Sequence, residues 1–414
     1  GTMPRITDYT ALLYYLEGDH FRWNSPFAVG TQAVITYSFT LPGNLPDVTQ
    51  DPVGATGYWS FDATQQARAQ AVFDQYEAIA GVRFVEVDGP SMINIYGFDG
   101  GSADGYANIA YSGSGYTGSG ALTSGETDLT PGTYGHVVMM HELGHALGLQ
   151  HSHDGSLTLE PTWDRPDLTV MTYNHAPDYV TELGTFDIQA MQHLYGTSDS
   201  FDGWEIVGGG SSRIIIRGSA DGDRMMGTDQ STTLNGRGGH DHIQGREADD
   251  ILRGSGGRDT LVGGLGDDRL IGGQGYDVLI GGLTDDGYSG GPDNDTMYGQ
   301  RGYDRLEGGA GRDRLFGGNG RDTLVGGDGA DTLNGGFGAD TFVFDHADMG
   351  ETDHITDFGR GADVIDLSGL WLTDISQLTI TVGANSTTIQ YTDFFELILA
   401  GYTDPLTGSD FIFS

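Results

Sequence analysis

The chain has 414 residues, 70 of them glycine and none cysteine or lysine, with 59 acidic against 19 basic residues and a formal net charge of −40. That balance excludes nucleic acid and an anionic membrane surface as partners, and the missing cysteine excludes disulfides and thiolate metal sites. The length exceeds what one hydrophobic core serves, so a domain followed by a repeat array is expected; residues 1–200 carry 23 acids against 5 arginines, and residues 218–343 carry 22 against 11.

No run approaches 18 consecutive apolar residues, so no membrane insertion is expected, and the start (GTMPRITDYT) lacks the basic and apolar regions of a signal peptide. Further along, YANIAYSG at 106–113 reads as a strand at the edge of a sheet. Residues 137–151, VVMMHELGHALGLQH, then give an apolar helical pattern. His141 and His145 lie four apart and so project from one helix face, as chelation of a single ion requires. Glu142 sits beside them. Gly148 can end the helix in a left-handed conformation, and the chain then turns so that His151 supplies a third imidazole. Three neutral nitrogens with an open fourth position describe a catalytic zinc rather than a structural one. His136, His153 and His175 fall outside this spacing and are not expected to be ligands.

After residue 200 the composition changes. From Gly236 the chain divides into blocks of nine without an insertion (GRGGHDHIQ, GREADDILR, GSGGRDTLV and onward to GGFGADTFV), and the register extends back to Gly218, giving fourteen blocks over residues 218–343. Position six is aspartate in all but the Thr232 block: Asp223, Asp241, Asp250, Asp259, Asp268, Asp277, Asp286, Asp295, Asp304, Asp313, Asp322, Asp331 and Asp340. Position eight is apolar or aromatic. Each block reads as a glycine turn followed by a short strand whose position-eight side chain points inward. The aspartates complete all-oxygen shells that suit Ca²⁺, several of them structural. Without calcium the carboxylates repel and the region is expected to be unfolded. Beyond 343, alternation such as LTITVGANSTTIQY is expected to cap the open end.

The string HExxHxxGxxH, followed by VMTYN at 170–174, resembles the metzincin clan of zinc peptidases. The blocks resemble the GGxGxDxUx pattern of RTX proteins. Together they are similar to the serralysins of peptidase family M10. Ser152 stands where serralysins place proline and matches matrixins instead, and the 19 residues between His151 and Met171 make a short loop for a serralysin. The resemblance implies an α+β metzincin zinc-protease domain followed by an all-β parallel β-roll: residues 1–200 catalytic, 201–217 connecting, 218–343 the roll and 344–414 a β cap. It implies Glu142 as general base, Tyr173 as a ligand of resting zinc that later stabilises the transition state, and Met171 as a packing residue beneath the site. It also implies a secreted, monomeric endopeptidase acting on protein or peptide substrates. The final SDFIFS is similar to the signal that type I (ABC-transporter) exporters read, and a proteinaceous inhibitor is a further expected partner. Two alternatives stay open: a non-catalytic RTX adhesin or surface-layer protein, and a matrixin-like enzyme fused to an RTX tail.

Overall fold

The computed structural model describes residues 27–40, 55–88, 91–100, 105–108, 120–124, 128–152, 158–159, 161–173, 179–282, 294–346, 348, 350–392 and 395–414, with Arg5–Ile6, Leu12–Leu13, Tyr15–Leu16, Asp19–His20 and Trp23. It forms two compact units, residues 1–202 with 208–212, and 203–207 with 213–414.

The first unit is a six-stranded sheet with helices. Its strands are β1 (Ala33–Ser38), β2 (Ala55–Trp59), β3 (Val82–Glu86), β4 (Ile93–Gly100), β5 (Gly105–Asn108) and β6 (Gly120–Ser124), in the order β3-β1-β4-β6-β5, with β2 antiparallel on β4. The pairs β3-β1, β1-β4 and β4-β6 are parallel. Edge strand β5 is antiparallel to β6; it coincides with the start of the segment expected at an edge, whose residues 109–113 lie outside the described part.

Helix α1 (Ala63–Ile79) begins at Asp62, whose carboxylate accepts the amides of Thr64 and Gln65 while Gln65 reaches back, a capping box. Its buried residues Ala69, Val72, Phe73 and Tyr76 follow helical spacing and face the core. Helix α2 (Tyr134–Ala146) is buried along almost its whole length, as an apolar-all-round helix must be. Three side-chain donors hold its carbonyls: Tyr76 Oη to Met140 O, Trp23 Nε1 to Ala146 O and Tyr195 Oη to Leu147 O, at 2.8–2.9 Å. Tyr195 belongs to α3 (Thr185–Tyr195).

In the second unit, successive short strands alternate between a twelve-stranded and a nine-stranded sheet. Through most of the repeats, neighbours within a sheet are parallel and 18 residues apart, as in Leu252↔Leu270 and Leu306↔Leu324, so two nonapeptides make one turn. The position-eight side chains Leu252, Leu261, Leu270, Leu279, Met297, Leu306, Leu315, Leu324, Leu333 and Phe342 are all fully buried between the sheets. Glycine is required where rungs touch. At Gly302, with φ +143°, a Cβ would stand 1.3 Å from the carbonyl oxygen of Gly275.

The nine-residue register does not run without interruption. Leu270 pairs with Met297 and Leu279 with Leu306, each 27 residues apart, so nine more residues, the length of one block such as GGLTDDGYS (281–289), lie between these partners than between the others. Asp286 itself lies outside the described residues; Asp295 takes the place it was expected to hold, accepting the Asp268 amide at 2.7 Å.

Two expected boundaries also shift. The segment 201–217 is not merely a connection, because Glu205–Gly209 and Ser212–Arg217 begin the twelve-stranded sheet and Ile214 and Ile216 already point into the core. Nor is 344–414 only a cap. Thr352–Ile355, Val364–Asp366 and Phe411–Ile412 continue the two sheets as parallel strands, and only Thr379–Val382, Ser386–Tyr391 and Phe395–Ala400 form an antiparallel end piece.

Candidate metal centre

Helix α2 carries His141 and His145 on one face, and Gly148, with φ +100°, turns the chain out of the helix so that His151 comes back over them. The three imidazoles place one ring nitrogen each within 4.8 Å of the other two, and the Nε2 atoms of His145 and His151 are 3.0 Å apart. His141 Nδ1 faces Val170 O at 2.7 Å and His145 Nδ1 faces Leu149 O at 2.8 Å. A ring nitrogen facing a carbonyl donates to it, which leaves the Nε2 lone pairs of both rings for a metal. The donor set therefore fits one zinc ion, with nitrogen ligands only and a position left for water or substrate.

Glu142 is buried beside His141, only 7% exposed. Tyr173 is 57% exposed, and its hydroxyl lies 2.6 Å from His151 Nε2. Met171 is fully buried beneath the helix, so close that a Cβ on Gly144 would stand 2.7 Å from its sulfur. His136 is buried away from the cluster, with Nε2 3.4 Å from Thr181 O, and burial lowers its pKa. His153 and His175 lie outside the described residues.

Two supports were not legible in the sequence motif. Asp187 on α3 is fully buried and accepts from Thr169 Oγ1 (2.6 Å), Val170 N (2.9 Å) and Gly184 N (2.9 Å). It therefore holds the residue whose carbonyl orients His141. Burial pushes its pKa up to about 6, against the pull of those three donors. Ser152, the residue that departs from the serralysin pattern, is also buried; its amide and hydroxyl both point at Met171 O, and its hydroxyl donates to Asp164. A proline here would have no amide to give.

The aspartates of the second unit form two columns. The amide of each aspartate is accepted by Oδ1 of the next one in its column, at 2.7–2.9 Å; one column runs through Asp241, Asp259, Asp277, Asp304, Asp322 and Asp340, the other through Asp250, Asp268, Asp295, Asp313 and Asp331. The second oxygen, Oδ2, of Asp241, Asp250, Asp259, Asp268, Asp277, Asp304, Asp322, Asp331 and Asp340 is buried with no hydrogen-bond partner. A buried carboxylate oxygen facing no donor is costly unless a cation meets it, so the columns fit Ca²⁺. Burial drives the carboxyls upward, Asp268 to about 9, Asp250 to about 8 and Asp241 to about 7.

Asp223 differs. Trp204 Nε1, the Ser219 amide and the Ser219 hydroxyl already donate to its carboxylate, so it closes its column with hydrogen bonds where a calcium ligand was expected. Thr232 closes the other column, its hydroxyl bonded to Gln230 O.

The matrixin family profile matches residues 54–196, and the RTX calcium-binding nonapeptide repeat matches in overlapping stretches from 226 to 345. The chain carries a matrixin peptidase domain and an RTX array. The matrixin domain implies a catalytic zinc and the RTX array implies calcium. The chain is similar to serralysin of Proteus mirabilis, 29% identical over 229 residues (46% of this chain and 45% of that protein). It is similar to serralysin A of Dickeya chrysanthemi, 30% identical over 202 residues (44% and 42%). It is also similar to human matrix metalloproteinase-26, 41% identical over 66 residues (16% and 22%). The chain thus spans less than half the length of the serralysins it matches. Among solved structures it is similar to the AlgE6R2 subunit of the Azotobacter vinelandii mannuronan C5-epimerase, at 25% identity over 37% of this chain and 91% of that one, with a TM-score of 0.24. The roll rests on its own strand pairing. Among the described residues, no helix is long and apolar enough to cross a membrane.

Proposed function

We propose that this chain is a secreted zinc-dependent endopeptidase cleaving extracellular proteins, with a C-terminal roll that orders on binding calcium. The observation that carries the reading is the convergence of His141, His145 and His151 beside the buried Glu142. Zinc bound by the three histidines would act as a Lewis acid on the scissile carbonyl and on a water.

Glu142 accepts the proton of the attacking water and passes it to the leaving amine, so no covalent intermediate forms. The Tyr173 hydroxyl donates to the oxyanion as charge develops there, a contribution of about 2.7–4 kcal/mol for a single donor in other enzymes. Asp187 and Ser152 keep the 169–171 segment in place while this happens. An extended substrate would pair with edge strand β5, in the manner of strand addition to a sheet. The aspartate columns would hold calcium, whose charge would offset the cost of burying their carboxylates as the roll orders. The terminal strand that ends in SDFIFS would serve a type I exporter as an address; secretion of a chain lacking Asp410 to Ser414 at the normal level would rule that part out.

The deciding experiment is casein hydrolysis by the purified chain in calcium, with and without a zinc chelator, beside Glu142→Ala. Activity lost in both arms is the expected result. A folded, zinc-loaded wild type without activity on any protein substrate would leave a calcium-binding module as the main function.

A further inference from the structure

The outer face of the twelve-stranded sheet carries a groove of about 560 Å³, on the strands Arg269–Gly275, Thr296–Gly302 and Arg314–Gly320. One wall is Tyr298 stacked on Phe316, with ring centroids 5.0 Å apart and planes within 8°. The Arg269 guanidinium covers the Tyr298 ring at 4.7 Å. Since one face of Tyr298 is taken up by Phe316 and the other by Arg269, that ring turns its edge outward, and aromatic edges carry positive partial charge.

The rest of the lining is polar and uncommitted. Gln274, Gln300, Arg301 and Asn319 are exposed, and among the described residues their side chains make no hydrogen bond or ion pair. Charge points the same way. These three strands contain Arg269, Arg301 and Arg314 but no carboxylate, in a chain whose net charge is −40.

We propose that this groove binds a linear, carboxylate-bearing polysaccharide. Arginine forks match carboxylates in paired hydrogen bonds, and the amides of Gln274, Gln300 and Asn319 both donate and accept, as sugar hydroxyls require. An acidic peptide fits less well, because every strand here is paired on both sides and offers no backbone edge for strand addition. The site uses no residue of the histidine cluster.

The test is binding of the whole chain, calcium-loaded, to hyaluronan oligosaccharides, with dextran oligosaccharides and poly-glutamate as comparison ligands. Saturable binding of the hyaluronan fragments only is expected, weakened about tenfold by Arg301→Gln with Arg314→Gln and by Tyr298→Ala, with casein hydrolysis and calcium-induced circular dichroism unchanged. The arginine pair is fully on the surface, so it keeps the test valid if Tyr298→Ala misfolds. Absence of binding, preference for poly-glutamate, equal binding of dextran, or wild-type affinity in the arginine variant would each overturn the assignment.

Discussion

The histidine cluster and the aspartate columns solve the same problem, holding metal-binding side chains in place, by opposite means. Around the histidines the protein supplies the partners: Val170 and Leu149 carbonyls orient two rings, and Asp187 in turn fixes the segment that carries Val170. In the roll, one oxygen of a column carboxylate is held by the neighbouring rung, while the other, at Asp241, Asp250, Asp259, Asp268, Asp277, Asp304, Asp322, Asp331 and Asp340, is buried facing no donor. The first site is preorganised before any ion arrives. The second becomes favourable only when ions do, so one region should keep its shape in a chelator and the other should not.

The strongest way to sharpen that contrast is chemical. Glu142→Ala should lower kcat/KM on casein by about 10²–10⁴-fold while leaving the circular dichroism of the whole chain unchanged. Tyr173→Phe should cost about 10²–10³-fold in kcat with KM little altered, since its hydroxyl would act only as charge develops. Structural effects come next. Asp187→Asn should destabilise the first unit by about 1–3 kcal/mol in thermal unfolding, by loosening the three donors that converge on it, without shifting the calcium midpoint of the roll. A shifted midpoint would break the separation between the regions.

The pH dependence separates them again. The folded, calcium-free roll holds Asp268 and Asp250 near 9 and 8, far above an unfolded aspartate. The folded state therefore binds more protons than the unfolded one between those values and about 4, and its stability without calcium rises as pH falls through that window. Protons also compete with calcium for the same oxygens. Calcium titrations followed by circular dichroism at pH 9, 7.5 and 6 should need progressively more calcium and release progressively more protons per ion bound. A midpoint independent of pH would mean that the carboxylates are ionised in the empty roll.

The smallest effect is expected from deleting 284–292, because joining 283 to 293 restores the 18-residue spacing across the interruption. Removing 314–322 takes out a strand that pairs on both sides and should abolish calcium-induced folding. Equal damage from the two deletions would show that the extra block is part of the roll.

What the sequence reveals follows from how local each interaction is. His141 and His145 are legible because four residues on a helix bring two rings to one face. His151 is legible through Gly148. Asp187 is not, because its partners Thr169 and Val170 lie 17–18 residues away with no spacing rule linking them. In the roll, counting glycines and aspartates reveals the turns, yet it passes straight through 281–289, and only the 27-residue pairings Leu270↔Met297 and Leu279↔Leu306 reveal the interruption. Asp223 is likewise counted with its column, although Ser219 and, from outside the repeats, Trp204 satisfy it.

The interruption near residue 288 has a consequence for how such a chain changes over generations. Because both columns resume in step across nine added residues, with Asp268 reaching Asp295 and Asp277 reaching Asp304, an extra unit leaves the rungs on either side in register. An array built this way can carry a spare copy free to drift, and so has raw material for a new loop without giving up the old framework.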